Sequence, residues 1–375
     1  MTIAHLRRAG ATLVVAALVL AGGCAEPPRP RTPAEVRAEI VRLLPAGTSD
    51  RKGWAEDIQT AFAALKIEPS TQNLCATLAV TEQESTFHPD PAVPGLGKIA
   101  LAEIYRRAQQ YHIPKFVIGG ALAFDSADGK SYQDRLAAAR TEQELSRIFE
   151  EFIDSLPMGK RLLASANPVH TGGPMQVSIG FAQNHAKAFP YPFVLADGET
   201  IRHEVFSRRG GMYFGIAHLL GYPTSYPKPL YRFADYNAGF YASRNAAFQQ
   251  AVSLASGIAI PLDGDLVRYK AAKDGSKVGA TEVAVQSLSG LLELSDAQIH
   301  RALEKGEIAQ FERTRVYQRV FELAERLQQR QLPRAILPNI KLSSPKITRK
   351  LTTEWFAKRV DQRYQRCLVK AGRAD

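Results

Sequence analysis

Thr81-Glu-Gln-Glu-Ser-Thr-Phe87 closes a stretch with helical spacing, and its reading decides what kind of fold the chain has. Leu74, Leu78 and Thr81 form one stripe of a helix that Ser70 or Thr71 starts. His88-Pro-Asp-Pro91 stops it, because proline cannot continue the hydrogen-bond ladder. The last turn carries two carboxylates, Glu82 and Glu84, about 200° apart around the axis at 100° per residue. Only one of them can face a cleft. Glu84 follows Val80 and Thr77 on one face, Glu82 follows Leu78 and Cys75 on the other, so periodicity leaves the choice open. A carboxyl at a helix end beside Phe87 is suited to proton transfer, since burial against apolar groups raises its pKa towards neutrality.

Outward from this stretch the chain reads as mostly helical. Thr32-Pro33 offers an N-cap with proline at the first helical position, opening a helix over 33–44. Asp50 caps the next, on which Trp54, Ile58, Phe62 and Leu65 recur. The region over 97–169 reads as a helix over 100–111, an apolar run over 116–124 that is strand or buried helix, and one long amphipathic helix over 132–156. It is either an elaboration packed on the main lobe or an attachment that binds wall or a partner. Helices follow to about 189, over 199–220, and from Pro229 to the Asp235-Tyr-Asn-Ala-Gly239 stretch. The polar segment 263–279 reads as a loop or subdomain boundary. Beyond it Ser295 and Gln298 make a capping box, and longer helices are expected over 310–331 and 348–370.

The N-terminus has its own character. Arg7 and Arg8 precede a short apolar run over 11–21, too short to span a bilayer comfortably. It ends in Leu20-Ala-Gly-Gly-Cys24, which resembles a bacterial lipobox with Ala21 in place of the more usual Leu. That resemblance implies a signal peptide over 1–23, lipid (palmitate among the acyl chains) on Cys24, and outer-membrane anchoring in a Gram-negative envelope. Pro27 to Pro33 then reads as a stiff tether.

Three stretches occur in order: Glu84-Ser85, Gly172-Gly-Pro-Met-Gln176, and Asp235-Tyr-Asn-Ala-Gly239. Together they resemble the signature segments of lytic transglycosylases and goose-type lysozymes. The resemblance implies a mainly α, lysozyme-like helical domain over 51–262 carrying the insertion at about 97–169. A lipidated tether and first helix over 24–50 precede it, and a basic C-terminal helical extension over 263–375 follows. In that family the acid immediately precedes Ser, which selects Glu84 as the catalytic general acid/base. The same resemblance assigns substrate contacts to Ser85, Met175, Gln176, Tyr236 and Asn237, with the Tyr236 phenol reaching the carboxyl. Two departures stand out. Pro174 replaces a Leu, and 92 positions separate Glu84 from Gln176 where the family has about 20. The chain also resembles, over nearly its full mature length, a YaiW-like family of outer-membrane lipoproteins of undefined function. Asp90-Pro-Ala-Val-Pro-Gly-Leu96, Gly172 to Ser178, Phe206-Ser-Arg-Arg-Gly-Gly211, Tyr231 to Gly239 and Ser344-Pro-Lys-Ile-Thr348 carry that likeness.

Composition narrows the partners. The net charge of +11 falls to +9 once Arg7 and Arg8 are removed with the signal. From Lys341 onward ten Lys/Arg face three Asp/Glu. Such an excess suits peptidoglycan, anionic lipopolysaccharide or an envelope complex, and export argues against nucleic acid. Cys75 and Cys367 remain after lipidation, either as one disulfide or as two buried thiols. His203-Glu204 lacks a second His four residues on, and no phosphate-cradling loop or Gly-x-Ser-x-Gly elbow occurs. No metal and no cofactor are expected. The expected function is cleavage of peptidoglycan glycan strands by a lipid-anchored enzyme; the alternative is an inactive lysozyme-like lipoprotein that binds wall or peptides and assists an envelope or uptake complex.

Overall fold

The computed structural model describes residues 31–157, 166–268, 278–342 and 351–372. The expected leader, the Cys24 lipidation site and the Ser344 to Thr348 stretch lie outside the described residues. The described chain is mainly helical. Helix α1 (Pro33–Leu43) begins with Pro33 at its first position and a capping box between Thr32 and Glu35. In α2 (Arg51–Leu65) the Asp50 carboxylate accepts from the Gly53 amide at 3.1 Å, and Trp54, Ile58 and Phe62 point inward. Helix α3 (Thr71–Glu84) starts at a Ser70 cap. Every residue from Leu74 to Thr81 is buried, so α3 is wrapped on all sides rather than half-exposed.

The segment expected to be an insertion comprises α4 (Leu96–Gln110), α5 (Lys115–Leu122), α6 (Tyr132–Ala138) and α7 (Glu142–Ser155). A two-stranded hairpin follows, β1 (Thr171–Gly172) antiparallel to β2 (Val177–Ser178), and leads directly into α8 (Ile179–Ala188). Then come α9 (Ile201–Phe206), α10 (Arg208–Leu220) and α11 (Pro229–Ala238). Helix α3 packs against α10, and α10 against α2, so the main core closes around the helix that ends in Glu84.

A second core gathers α12 (Ala242–Ser256), α13 (Ala280–Gln286), α14 (Ser289–Leu292), α15 (Asp296–Leu303) and α16 (Arg315–Gln328). Phe248, Phe311, Tyr317 and Phe321 cluster at its centre with ring centroids 4.8–6.3 Å apart. Buried Arg244 joins its parts by donating to the carbonyls of Gly306 and Ile308. Strands β3 (Lys341–Leu342) and β4 (Leu351–Thr352) pair antiparallel and precede α17 (Thr353–Gly372).

The structure departs from the sequence expectations in several places. The long helix expected over 132–156 is two, because Thr141 opens α7 with its own capping box. The break is held by the Val93 amide donating to the Arg140 carbonyl at 2.8 Å. The helix expected over 199–220 divides at Ser207, whose hydroxyl accepts from the Gly210 amide to start α10. The apolar run over 116–124 is helical, yet only Leu122 of α5 is buried. The division expected at 262/263 also differs. Ala247, Phe248, Ala251 and Val252 of α12 already belong to the second core. Helix α17 returns to the first, where Phe356, Val360 and Tyr364 form an inward stripe packed on α3 and α11. Cys75 of α3 and Cys367 of α17 are joined by a disulfide with Cα atoms 5.5 Å apart.

Candidate active site

Glu84 is the last residue of α3. Beyond it the Ser85 hydroxyl donates to the Thr81 carbonyl at 3.1 Å and is buried, so Ser85 shapes the turn instead of facing a ligand as expected. Thr86 and Phe87 then both take left-handed backbone conformations, φ 51° and 60°. Bulky residues enter that region at a cost of about 1 kcal/mol or more each, and such strain concentrates at functional sites. Here it is held in place by burial of the Phe87 ring, set edge-on to Trp54 at 5.4 Å.

The two carboxylates of the last turn have different surroundings. Glu82 faces α17 and lies 3.4 Å from both Arg363 and Arg366. Glu84 has no ion-pair or hydrogen-bond partner among the described residues. Part of its surface stays open to solvent, but the protein packed around it desolvates the carboxyl and pushes its pKa up to about 7. A partially exposed acid in that range can both give and take a proton near neutrality.

The hairpin supplies the second side of the site. Its turn, Gly173 to Gln176, places Gly173 and Gln176 at positive φ, 72° and 50°. The turn lies on a bare strip of α10. A Cβ on Gly211 would come within 2.3 Å of Pro174 Cδ, and one on Gly215 within 2.4 Å of Met175 Sδ and 2.6 Å of its Cβ. Pro174, the departure from the family pattern, is thus accommodated by Gly211. Met175 is fully buried, so its side chain is core and does not face a ligand as expected. Gln176 remains partly exposed, with weak 3.4 Å contacts to Thr171 and the Gly173 carbonyl. Gly215→Ala should lower stability, by up to about 2 kcal/mol. The overpacking cost of about 1–3 kcal/mol exceeds the helix-propensity gain of about 1. Urea unfolding measures it, and an unchanged or raised midpoint would contradict this packing.

The third side is α11. The Tyr236 phenol donates to the Met175 carbonyl at 2.7 Å, not to the Glu84 carboxyl as the resemblance implied. Burial, and then the charge on nearby Glu84, hold that phenol well above its ordinary pKa. Tyr236 therefore sits within electrostatic reach of Glu84 while locking the hairpin to α11. Asn237 is exposed, and its side chain makes no hydrogen bond to a described residue.

Two participants were not singled out from the sequence. Asp235 is buried and accepts from Tyr226, Tyr222 and the Ser243 amide, which fixes the α11–α12 corner beside Tyr236. His218 on α10 packs its ring 5.0 Å from that of Tyr236 and lies 3.3 Å from the Tyr236 carbonyl through Nε2. Burial pushes its pKa down to about 4, so it is neutral and Nε2–H is the donor. Its Nδ1 is buried without a partner among the described residues. Phe181 and Phe240 each approach His218 at 4.8 Å and line a cavity of about 810 Å³ that also touches Tyr213 and Tyr222. Glu84 is not among the residues lining that cavity; the His218 ring stands between Tyr236 and its aromatic wall. A His inside an otherwise apolar, glycine-rich helical pattern was the available signal, but a core histidine gives the same pattern.

Among the described residues no group of His, Cys, Asp and Glu is arranged to hold a metal ion. Residues 47–370 match the pattern of a family described as a protein of unknown function, DUF1615. The chain is 52% identical over 359 residues to the uncharacterized protein YaiW of Escherichia coli (strain K12). That alignment covers 95% of this chain and 96% of the relative. No solved structure matches.

Proposed function

The chain belongs to the YaiW-like family of undefined function, DUF1615, and from that premise we propose a lipid-anchored, lysozyme-like envelope enzyme that cleaves peptidoglycan glycan strands. The carrying observation is the Glu84 carboxyl, desolvated and unpaired among the described residues, with its pKa near 7. In the proposed reaction Glu84 donates its proton to the glycosidic oxygen and the C–O bond breaks. A hydroxyl of the same sugar attacks the resulting oxocarbenium carbon, and its proton returns to the Glu84 carboxylate. This yields an anhydro end without consuming water. Gln176 and Asn237, both with exposed surface, would contact the sugars. Glu82, tied to two arginines, is not available as a second carboxylate.

The body would be held at the outer membrane through lipid on Cys24, facing peptidoglycan or lipopolysaccharide. Purified sacculi incubated with the lipid-free chain should release soluble anhydro-muropeptides, identified by mass. No release, or equal release by Glu84→Gln, would remove the enzymatic reading.

A second reading has its own support. The Tyr236 phenol is committed to a backbone carbonyl, and Glu84 is not among the residues lining the 810 Å³ cavity. Both features suit a lysozyme-like fold that binds wall or peptide without turning it over. Sedimentation with sacculi in the absence of product release would favour this reading.

A further inference from the structure

The junction of α4 and α5 presents a run of large apolar side chains to solvent. Tyr111 and Phe116 are each 79% exposed, Phe124 67%, Val117 46% and Ile113 38%. They fall within fourteen consecutive residues, and 111–124 contains no Asp or Glu. Water-exposed apolar clusters of this kind mark contact surfaces, whereas single exposed apolar residues do not.

Two observations say what covers this knuckle, where Lys115 and Phe116 also line a cavity of about 650 Å³. Its charge is cationic: Lys115 is exposed and has no ion-pair partner among the described residues, and Arg106 stands alongside, paired to Glu103. An aromatic and aliphatic tip rimmed by Lys and Arg suits the headgroup–acyl boundary of an anionic bilayer. Finally, eight residues separate Cys24 from Pro33, the first residue of α1. Whatever their conformation they reach at most about 30 Å, so an anchored body stays beside the bilayer. At eight residues α5 is about 12 Å long, against a hydrocarbon core of about 30 Å, so it can lie in the interface but not cross it.

We propose that the α4–α5 knuckle is a membrane-docking surface whose apolar side chains enter the interface of an anionic phospholipid bilayer. It orients the anchored body, and in that respect it rests on the lipid-anchor reading above. The vesicle binding itself does not.

The chain from Ala25, which retains every described residue, is tested by cosedimentation with phosphatidylethanolamine vesicles, with and without phosphatidylglycerol. Binding to the anionic vesicles is expected, and Phe116→Ser/Phe124→Ser should weaken it about tenfold or more. Lys115→Glu should weaken it on anionic vesicles only. Both variants replace exposed side chains and should melt as the parent does, which thermal unfolding checks. Absence of binding by the parent, or equal binding by the Phe variant, overturns the proposal. So does a knuckle that captures a protein and ignores lipid. Mass analysis of Cys24 in the full chain tests the anchor separately, so failure of one reading is distinguishable from failure of the other.

Discussion

Glu84→Gln is expected to abolish glycan cleavage and at the same time to make the protein more stable at alkaline pH. The folded carboxyl has its pKa at about 7, raised from 4.5 by desolvation. Folding therefore favours its protonated form. The stability associated with that preference is fully present below about pH 4.5 and is lost as pH rises through about 7. A shift of this size corresponds to at most about 3 kcal/mol, and residual solvent contact reduces it. Glutamine is uncharged throughout. The variant and the parent should thus unfold at similar denaturant concentration near pH 4, and a gap favouring the variant should open towards about pH 8. Activity should move in the opposite sense. Removing the only group that donates and recovers the proton should cost about a thousandfold or more. In the parent the rate should fall as pH rises through about 7, because the acid must enter the reaction protonated. Equal stability of the two proteins at about pH 8 would show that the carboxyl is well solvated, and the acid role would lose its physical basis.

Loss of the Cys75–Cys367 bridge is expected to be the largest single change in stability. The bridge joins residues 292 positions apart and fastens α17 to α3, the helix that carries Glu84. A loop of that length confers about 5–6 kcal/mol in the chain-entropy treatment, and removing native disulfides typically costs about 2–5 kcal/mol. We expect a loss of about 2–5 kcal/mol for Cys75→Ser/Cys367→Ser in denaturant unfolding. Some docking of α17 should persist, because Phe356, Val360 and Tyr364 remain packed and Glu82 still faces Arg363 and Arg366. The parent treated with reductant should match the variant, and reductant should leave the variant unchanged. If reductant shifts the variant as much as the parent, the bridge is not the cause.

The candidate site was only partly legible beforehand. Glu84 was selected over Glu82 by a family pattern, since helical periodicity treats the two alike. The geometry supplies an independent distinction: one carboxylate meets two arginines of α17, and the other meets no cation among the described residues. His218 was passed over because a titratable residue on an apolar helix carries no local sign of what surrounds it. Ser85 and Met175 were expected to face ligand and are buried, because a motif names residue types without saying which atoms the neighbouring helix covers.

What the sequence alone determined is local. Thr32, Asp50, Ser70 and Ser295 start helices because a side-chain oxygen and the amide it satisfies lie within three residues of each other. Helix α3, by contrast, ends at Glu84, five residues before the first proline, where Thr86 and Phe87 turn left-handed. The tertiary structure decided everything that depends on distant segments: the return of α17 to the first core, the pairing of the two cysteines, the phenol of Tyr236 on the Met175 carbonyl 61 positions away, and the exposure of α5 in spite of its apolar composition. Desolvation and packing are properties of surroundings, and those surroundings come from residues far away in the chain.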